Sequence, residues 1–309
     1  NSGRQFNFAD GDPDDTHKTY PSMLWLGNHF NLPASINKNN ELLQMSIDNN
    51  IDFDAFNLVW YSPTAEDLKA LPVNRLFSGI DAGYLRKAWS KNAISVAFKG
   101  GFNLADHAHL DMGTFVLDNE GERWASDLGR DNYDLPGYFE RTVGGARWQY
   151  YRLNTQSHNT LILNNGNHRE DATTKIVSFE TNKDNSLAVS DLSNAYDACA
   201  KSVSRTVVVT GDGLTIIDNV QGNEKLESIR WQMLTEADID VDGNEAALSI
   251  GDKKMYAKII QPENSNFKIV SAKQEEPEMS NEGYQLLCFD INEFDDLTAE
   301  IVVEFYSKK

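Results

Sequence analysis

Apolar positions change their period part-way along the chain. Over the first 60 or so residues they fall at helical spacing. Pro21 suits a first turn and is followed by an apolar stripe of Met23, Leu24, Leu26 and Phe30. Asn40 can cap a second helix running from Glu41 to Ile47, and a third apolar run, Phe53 to Trp60, ends at Ser62-Pro63. From about Ala93 the spacing becomes two. Ser95-Val96-Ala97-Phe98, Thr160-Leu161-Ile162-Leu163, Thr206-Val207-Val208-Val209 and Ile301-Val302-Val303-Glu304-Phe305 are β-branched or aromatic runs broken by Gly, Asn and Asp. Two hairpins are expected, one turning at Asn119-Glu120-Gly121 and the other at Gly211-Asp212-Gly213. Many short strands and few helices predict a mainly β protein, a large antiparallel β-sandwich preceded by a few helices. The expected division is a helical remnant over 1–65, a linker over 66–92 and the sandwich over 93–309.

Composition narrows the partners more than the fold. The chain has 309 residues and a formal charge of -19, with Asp and Glu outnumbering Lys and Arg 47 to 28. Such a surface offers no long-range attraction to nucleic acid or an anionic membrane. No run approaches the roughly 20 apolar residues of a membrane helix. The two cysteines, Cys199 and Cys288, lie far apart and form no metal-type pair; one disulfide and two buried thiols both stay open. No signal peptide is visible, and the chain starts without Met at Asn1-Ser2-Gly3-Arg4, so it reads as a fragment or a processed product. Oligomeric state is not legible.

Chemistry concentrates in His107-Ala108-His109-Leu110-Asp111, taken with Asp127 and His158. Three of the six histidines fall in this constellation. Imidazoles and a carboxylate make a good zinc ligand set, and two His with one acid also suit iron(II), the pattern of an oxygenase. On a strand His107, His109 and Asp111 share one face. The expected hairpin register puts Asp127 on that face too, but opposite Gly113, roughly 13 Å along the strand from His109. A direct pairing therefore requires the chain to bend before Gly113. From the residues alone, a metal site and a set of satisfied polar side chains both stay open. Asn159 suits a turn cap, and Gly129 suits an unusual backbone angle. Tyr133, Tyr138, Tyr150 and Tyr151 are good packing residues, although a loop tyrosine can also donate a proton to a leaving oxygen. Arg130, Arg141, Arg147 and Arg152 supply local positive charge, either for an anionic substrate or for salt bridges with Asp131, Asp134 and Glu140. His17, His29 and His168 have no evident partners.

These motifs carry a resemblance. Gly100-Gly101-Phe102-Asn103, His107 through Gly113, Arg123-Trp124-Ala125-Ser126-Asp127-Leu128-Gly129 and His158-Asn159-Thr160 resemble the heparinase II/III-like polysaccharide lyases in order and spacing. The resemblance implies that the helical stretch ends an (α/α) toroid and that the sandwich is the family's C-terminal domain. It implies a zinc bound by His109, Asp127 and His158, with His107 facing the substrate. It also implies β-elimination on a uronic-acid-containing polysaccharide, of heparan sulfate or alginate type, in the periplasm or outside a bacterial cell. In the family the toroid supplies a catalytic tyrosine and further substrate-binding residues, and most of that domain lies outside this chain. In alginate-cleaving relatives a tyrosine in the loop before the last zinc histidine takes part. By spacing Gly144 stands there, which makes Tyr138 the substitute candidate. The rival reading is a non-catalytic carbohydrate-binding sandwich with a structural zinc.

Overall fold

A computed structural model describes residues 2–12, 19–63, 71–182, 185–211 and 213–308. His17 and Asp212 lie outside the described residues. Three antiparallel sheets dominate. The largest orders nine strands: Asp238–Asp242, Glu245–Ile250, Lys253–Gln261, Thr298–Tyr306, Gly213–Gly222, Ala200–Thr210, Asn185–Asp191, Thr173–Thr181 and Gly101–Phe102. A five-stranded sheet orders Arg75–Phe77, Ala82–Arg86, Ser95–Lys99, Phe115–Asn119 and Glu122–Ala125. A four-stranded sheet orders Lys268–Ser271, Gln285–Ile291, Ile229–Thr235 and Leu161–Leu163. The backbone bond from Ser126 to Leu234 joins the two smaller sheets.

Side-chain alternation explains the layering. Along Ala200–Thr210, residues Val203, Arg205, Val207 and Val209 turn inward; along Gly213–Gly222, Leu214, Ile216, Asp218 and Val220 do. These inward faces join Phe98, Phe115, Trp124, Trp231, Phe289 and Phe305 in one hydrophobic cluster that draws on all three sheets. Phe305 of the large sheet packs on Phe115 of one small sheet and Trp231 of the other, at centroid distances of 6.1 and 6.3 Å. The architecture is therefore the expected β-sandwich. Cys199 and Cys288 are both free and buried.

Several local expectations change. The first hairpin has a two-residue turn, Glu120-Gly121, with φ of +53° and +82°; Asn119 pairs with Glu122. A bulge between Leu117 and Asp118 shifts the register further along. The stretch read as a linker contains Arg75–Phe77, which pairs with Ala82–Arg86, which in turn pairs with Ser95–Lys99, so the sheet starts before residue 93. The second helix, α2 (Pro33–Asp48), begins at a proline rather than at Asn40, because Pro33 takes the first-turn position that needs no amide donor. Asn40 instead donates to Ser62 O across 2.9 Å. In the first helix, α1 (Pro21–His29), Leu24 and Gly27 are buried, whereas Leu26 and Phe30 stay exposed. Asn39 accepts from Tyr20 N and donates to Asn57 Oδ1, tying α1, α2 and the short α3 (Phe56–Val59) together.

Candidate functional site

Residues 107–114 are loop, not strand, and their turns build the bend that the motif required. His107 takes φ +60° and Gly113 φ +77°. Thr114 N bonds Asp111 O at 3.0 Å, closing a turn. A side chain at Gly113 would meet Leu192 Cδ1 at 2.5 Å, so only glycine fits this reversal. Asp127 lies two residues past the first hairpin, whose second strand ends at Ala125. Its Oδ1 accepts the Gly129 amide at 2.9 Å, across a glycine at φ +65°, which leaves Oδ2 to meet His158. Asn159 does more than cap a turn: it is buried, donates to Phe115 O and Ser126 O, and accepts from Leu234 N. It thereby knits the two small sheets beside His158.

The result is a buried cluster. His109, Asp127 and His158 each offer one donor atom within 4.8 Å of the others. His158 Nδ1 lies 3.0 Å from Asp127 Oδ2. Burial opposes charge on His158, but the Asp127 carboxylate outweighs it and raises the imidazole pKa. Burial likewise opposes the Asp127 anion, and His158 outweighs it, so that carboxyl is held low. Burial lowers the pKa of His109. His109 Nδ1 and His158 Nε2 are buried without a partner among the described residues. Buried ring nitrogens left bare are costly unless something binds them, and two imidazoles with a carboxylate suit zinc, so the residues fit that ion. Asp111 does not join the cluster: it is drawn to Lys99 Nζ at 2.6 Å.

His107 stands apart. Its side chain is 55% exposed and engages Asp10 Oδ2 through Nδ1 at 2.7 Å. Around it lie Tyr133 and Phe139, each 6.4 Å away between ring centroids and both exposed. Tyr138, the substitute tyrosine, is 1% exposed. Its hydroxyl donates to Asp10 Oδ1 at 2.8 Å and accepts from Asp131 N, and burial raises its pKa. The hydroxyl is enclosed by these two protein partners. Tyr133, 39% exposed, is the tyrosine that the surface offers beside His107.

The four arginines divide. Arg147 and Arg152 are buried struts: Arg147 holds Ala108 O and Tyr138 O, and Arg152 holds Leu128 O, Arg130 O and Asn281. Arg130 and Arg141 remain at the surface, where Arg141 pairs with Asp106 and Arg130 faces Asp12. Among the described residues, the group most clearly missed from the sequence is Asp10. It is nearly buried and accepts from His107, His109, Tyr133, Tyr138 and Arg147. Contacts across about a hundred positions leave no periodic trace, and only the acidic run around Asp10 hinted at it.

The sequence model of one family, described as Heparinase II/III-like, C-terminal, matches residues 72–305. The chain belongs to that family. No curated protein matches it. Among solved structures it is similar to a heparinase III with methylated lysines, at 17% identity and a TM-score of 0.70, covering 100% of this chain and 44% of that one. It is also similar to the heparan sulfate lyase HepC from Pedobacter heparinus, at 16% identity and a TM-score of 0.67, covering 97% of this chain and 44% of that one. Likenesses this remote in sequence establish the fold. The chain spans less than half the length of these solved lyases.

Proposed function

We propose that the protein is a polysaccharide lyase cleaving a uronic-acid-containing glycan by β-elimination, with this chain forming the sandwich side of its cleft. The observation that carries the reading is the split within one loop: an exposed His107 beside aromatic side chains, two residues from a buried His109 in a metal-competent cluster. Similarity to a heparinase III and a heparan sulfate lyase favours a heparan-sulfate-type substrate in the periplasm or outside a bacterial cell. Among the described residues no helix is long and apolar enough to cross a membrane.

The chemistry asks for few groups. The C5–H bond breaks as a base takes the proton, and its electron pair forms the C4–C5 double bond. The C4–O bond breaks with its pair going to the glycosidic oxygen, which takes up a proton. His107 Nε2 faces the uronate, where it neutralises the carboxylate or accepts the C5 proton. Tyr133 is placed to protonate the departing oxygen. His109, Asp127 and His158 would hold zinc, which when bound supplies a fixed positive centre that orders the two loops. Arg130 and Arg141 offer surface cations for an anionic chain.

The test uses the full-length protein. It should generate unsaturated uronate, read as new ultraviolet absorbance, and His107→Ala should abolish that signal while zinc stays bound. Full activity in His107→Ala would sink the assignment, and bound iron, or no metal in a well-folded sample, would sink the zinc centre.

A further inference from the structure

Asp10 lies outside the matched family region, on a segment that crosses the sandwich before the first helix. A short turn presents it: Gly11 N bonds Phe8 O at 3.2 Å, with Ala9 at φ +59°. The segment is docked before that turn and within it. Arg4 grips Glu236, Arg123 donates to Gln5 O, Asn7 Nδ2 donates to Asp127 O at 2.9 Å, and Asp10 N reaches His107 O.

The carboxylate sits between two imidazoles and touches them through different ring atoms. Oδ2 meets His107 at Nδ1 (2.7 Å), and Oδ1 meets His109 at Nε2 (2.9 Å). A carboxylate only accepts, so each contacting nitrogen must carry the proton. Arg147 Nη2 at 3.0 Å keeps the acceptor anionic: burial alone would raise the Asp10 pKa, but the His109 contacts and the Arg147 charge outweigh it and hold it below the usual carboxylate range. Arg147 also grips Ala108 O, the carbonyl between the two histidines. The loop and the carboxylate are thus fixed as one unit.

We propose that Asp10 is a positioning residue that sets two histidines in opposite tautomers with one carboxylate. His109 is held as the Nε2–H form, leaving Nδ1 bare for the metal cluster. His107 is held as the Nδ1–H form, leaving Nε2 bare toward the open face. The part concerning His109 rests on the zinc reading above; the part concerning His107 does not. Carboxylates behind metal-bound histidines typically alter affinity 10–100-fold. What the geometry adds is that this outer carboxylate comes from the N-terminal segment and also governs the substrate-facing histidine.

The test compares the zinc-loaded chain with Asp10→Asn and with Asn7→Ala, which loosens the same segment but leaves the carboxylate. Proton–nitrogen correlation spectra of histidine-labelled protein at pH 8 report ring tautomers directly. Chelator competition reports zinc affinity. In the wild type His107 should be protonated at Nδ1 and His109 at Nε2. Asp10→Asn offers a single acceptor oxygen, so it should lose the Nδ1–H signature of His107 and weaken zinc roughly 10–100-fold. Asn7→Ala should keep the tautomers and hold affinity within about threefold. Unchanged tautomers in Asp10→Asn, or an equal loss in Asn7→Ala, would overturn the proposal. If the wild type takes up no zinc, the metal reading fails, while the His107 signature still decides the role of Asp10.

Discussion

Two buried histidine centres on this sandwich differ in what surrounds their ring nitrogens. At His109 and His158, each imidazole has a carboxylate on one nitrogen, Asp10 or Asp127, and a bare nitrogen on the other. At His168, the ring Nε2 meets the Tyr196 hydroxyl at 2.7 Å, and Tyr196 in turn donates to Leu161 O. Burial lowers the His168 pKa to about 3, helped by His158, Arg205 and Lys99, so the ring stays neutral. Its Nδ1 is also bare among the described residues. A bare buried nitrogen is therefore not enough to mark a ligand. What separates the centres is convergence: one gathers three donor atoms and the charge to hold them, and the other is a packing histidine with a neutral partner.

Arg205 is the way to break the first centre from beneath. It forks onto Asp218 at 2.6 and 2.8 Å and donates to Gly113 O and Asn159 O, beneath both loops of the metal cluster. Arg205→Met strands the Asp218 carboxylate in the core, and removing one partner of a buried pair costs about 3–5 kcal/mol. Denaturant unfolding should show that loss together with weaker zinc binding. A loss under 1 kcal/mol would mean that Asp218 finds another partner.

Removing a ligand breaks only the first centre. Asp127→Ala should weaken zinc by at least ~100-fold. At a metal concentration of about 100 Kd, the linked stabilisation is about 2.7 kcal/mol, so a chelator should lower the melting temperature of the wild type and leave Asp127→Ala unmoved. An equal response in both would show that the ion binds elsewhere.

Much of this was legible in the sequence, and its limits are physical. Alternating apolar runs predicted the strands because a half-buried sheet repeats every two residues, and the H-x-H loop with Asp127 and His158 predicted where the chemistry would cluster. The bend was deducible as a requirement, since an extended strand could not bring His109 to Asp127. Its means, positive φ at His107 and Gly113, depended on packing against Leu192. Arg205 and Asp218 went unread although a signal existed: each falls in phase with buried apolar neighbours, Val203 and Val207 for one, Ile216 and Val220 for the other. A charge in an apolar register points to a paired ion. Asp10 carried no such signal, because its five partners come from distant loops.

The second centre has its own signature in pH. The folded-state pKa of His168 lies below its unfolded value near 6.5, so the unfolded chain binds the extra proton as pH falls. Its contribution to stability is complete above about pH 6.5 and is lost progressively toward pH 3. Two pH units below 6.5 this amounts to about 2.7 kcal/mol. His168→Gln should be about 1 kcal/mol less stable than wild type at pH 7.5 through the lost hydrogen bond. At pH 4.5 it should equal or exceed the wild type, with zinc affinity at pH 7.5 unchanged. A constant deficit at both values would contradict a neutral buried ring.

The finest contrast lies between two tyrosines on one carboxylate. Tyr138 is buried, and its hydroxyl both donates to Asp10 and accepts from Asp131 N. Tyr133 reaches the same carboxylate at 3.3 Å from a side chain that is 39% exposed. Tyr138→Phe leaves a buried amide without its acceptor and should cost about 1–2 kcal/mol, with any loss of activity following stability. Tyr133→Phe should change stability by less than about 0.5 kcal/mol, as surface changes do. If Tyr133 protonates the leaving oxygen, that nearly silent change should still lower kcat of the full-length protein by roughly 100-fold or more, the range of a lost general acid, with KM little altered. Retained kcat in Tyr133→Phe, measured beside an unchanged melting temperature, would move the acid to another residue and leave the exposed tyrosine as part of the aromatic surface around His107.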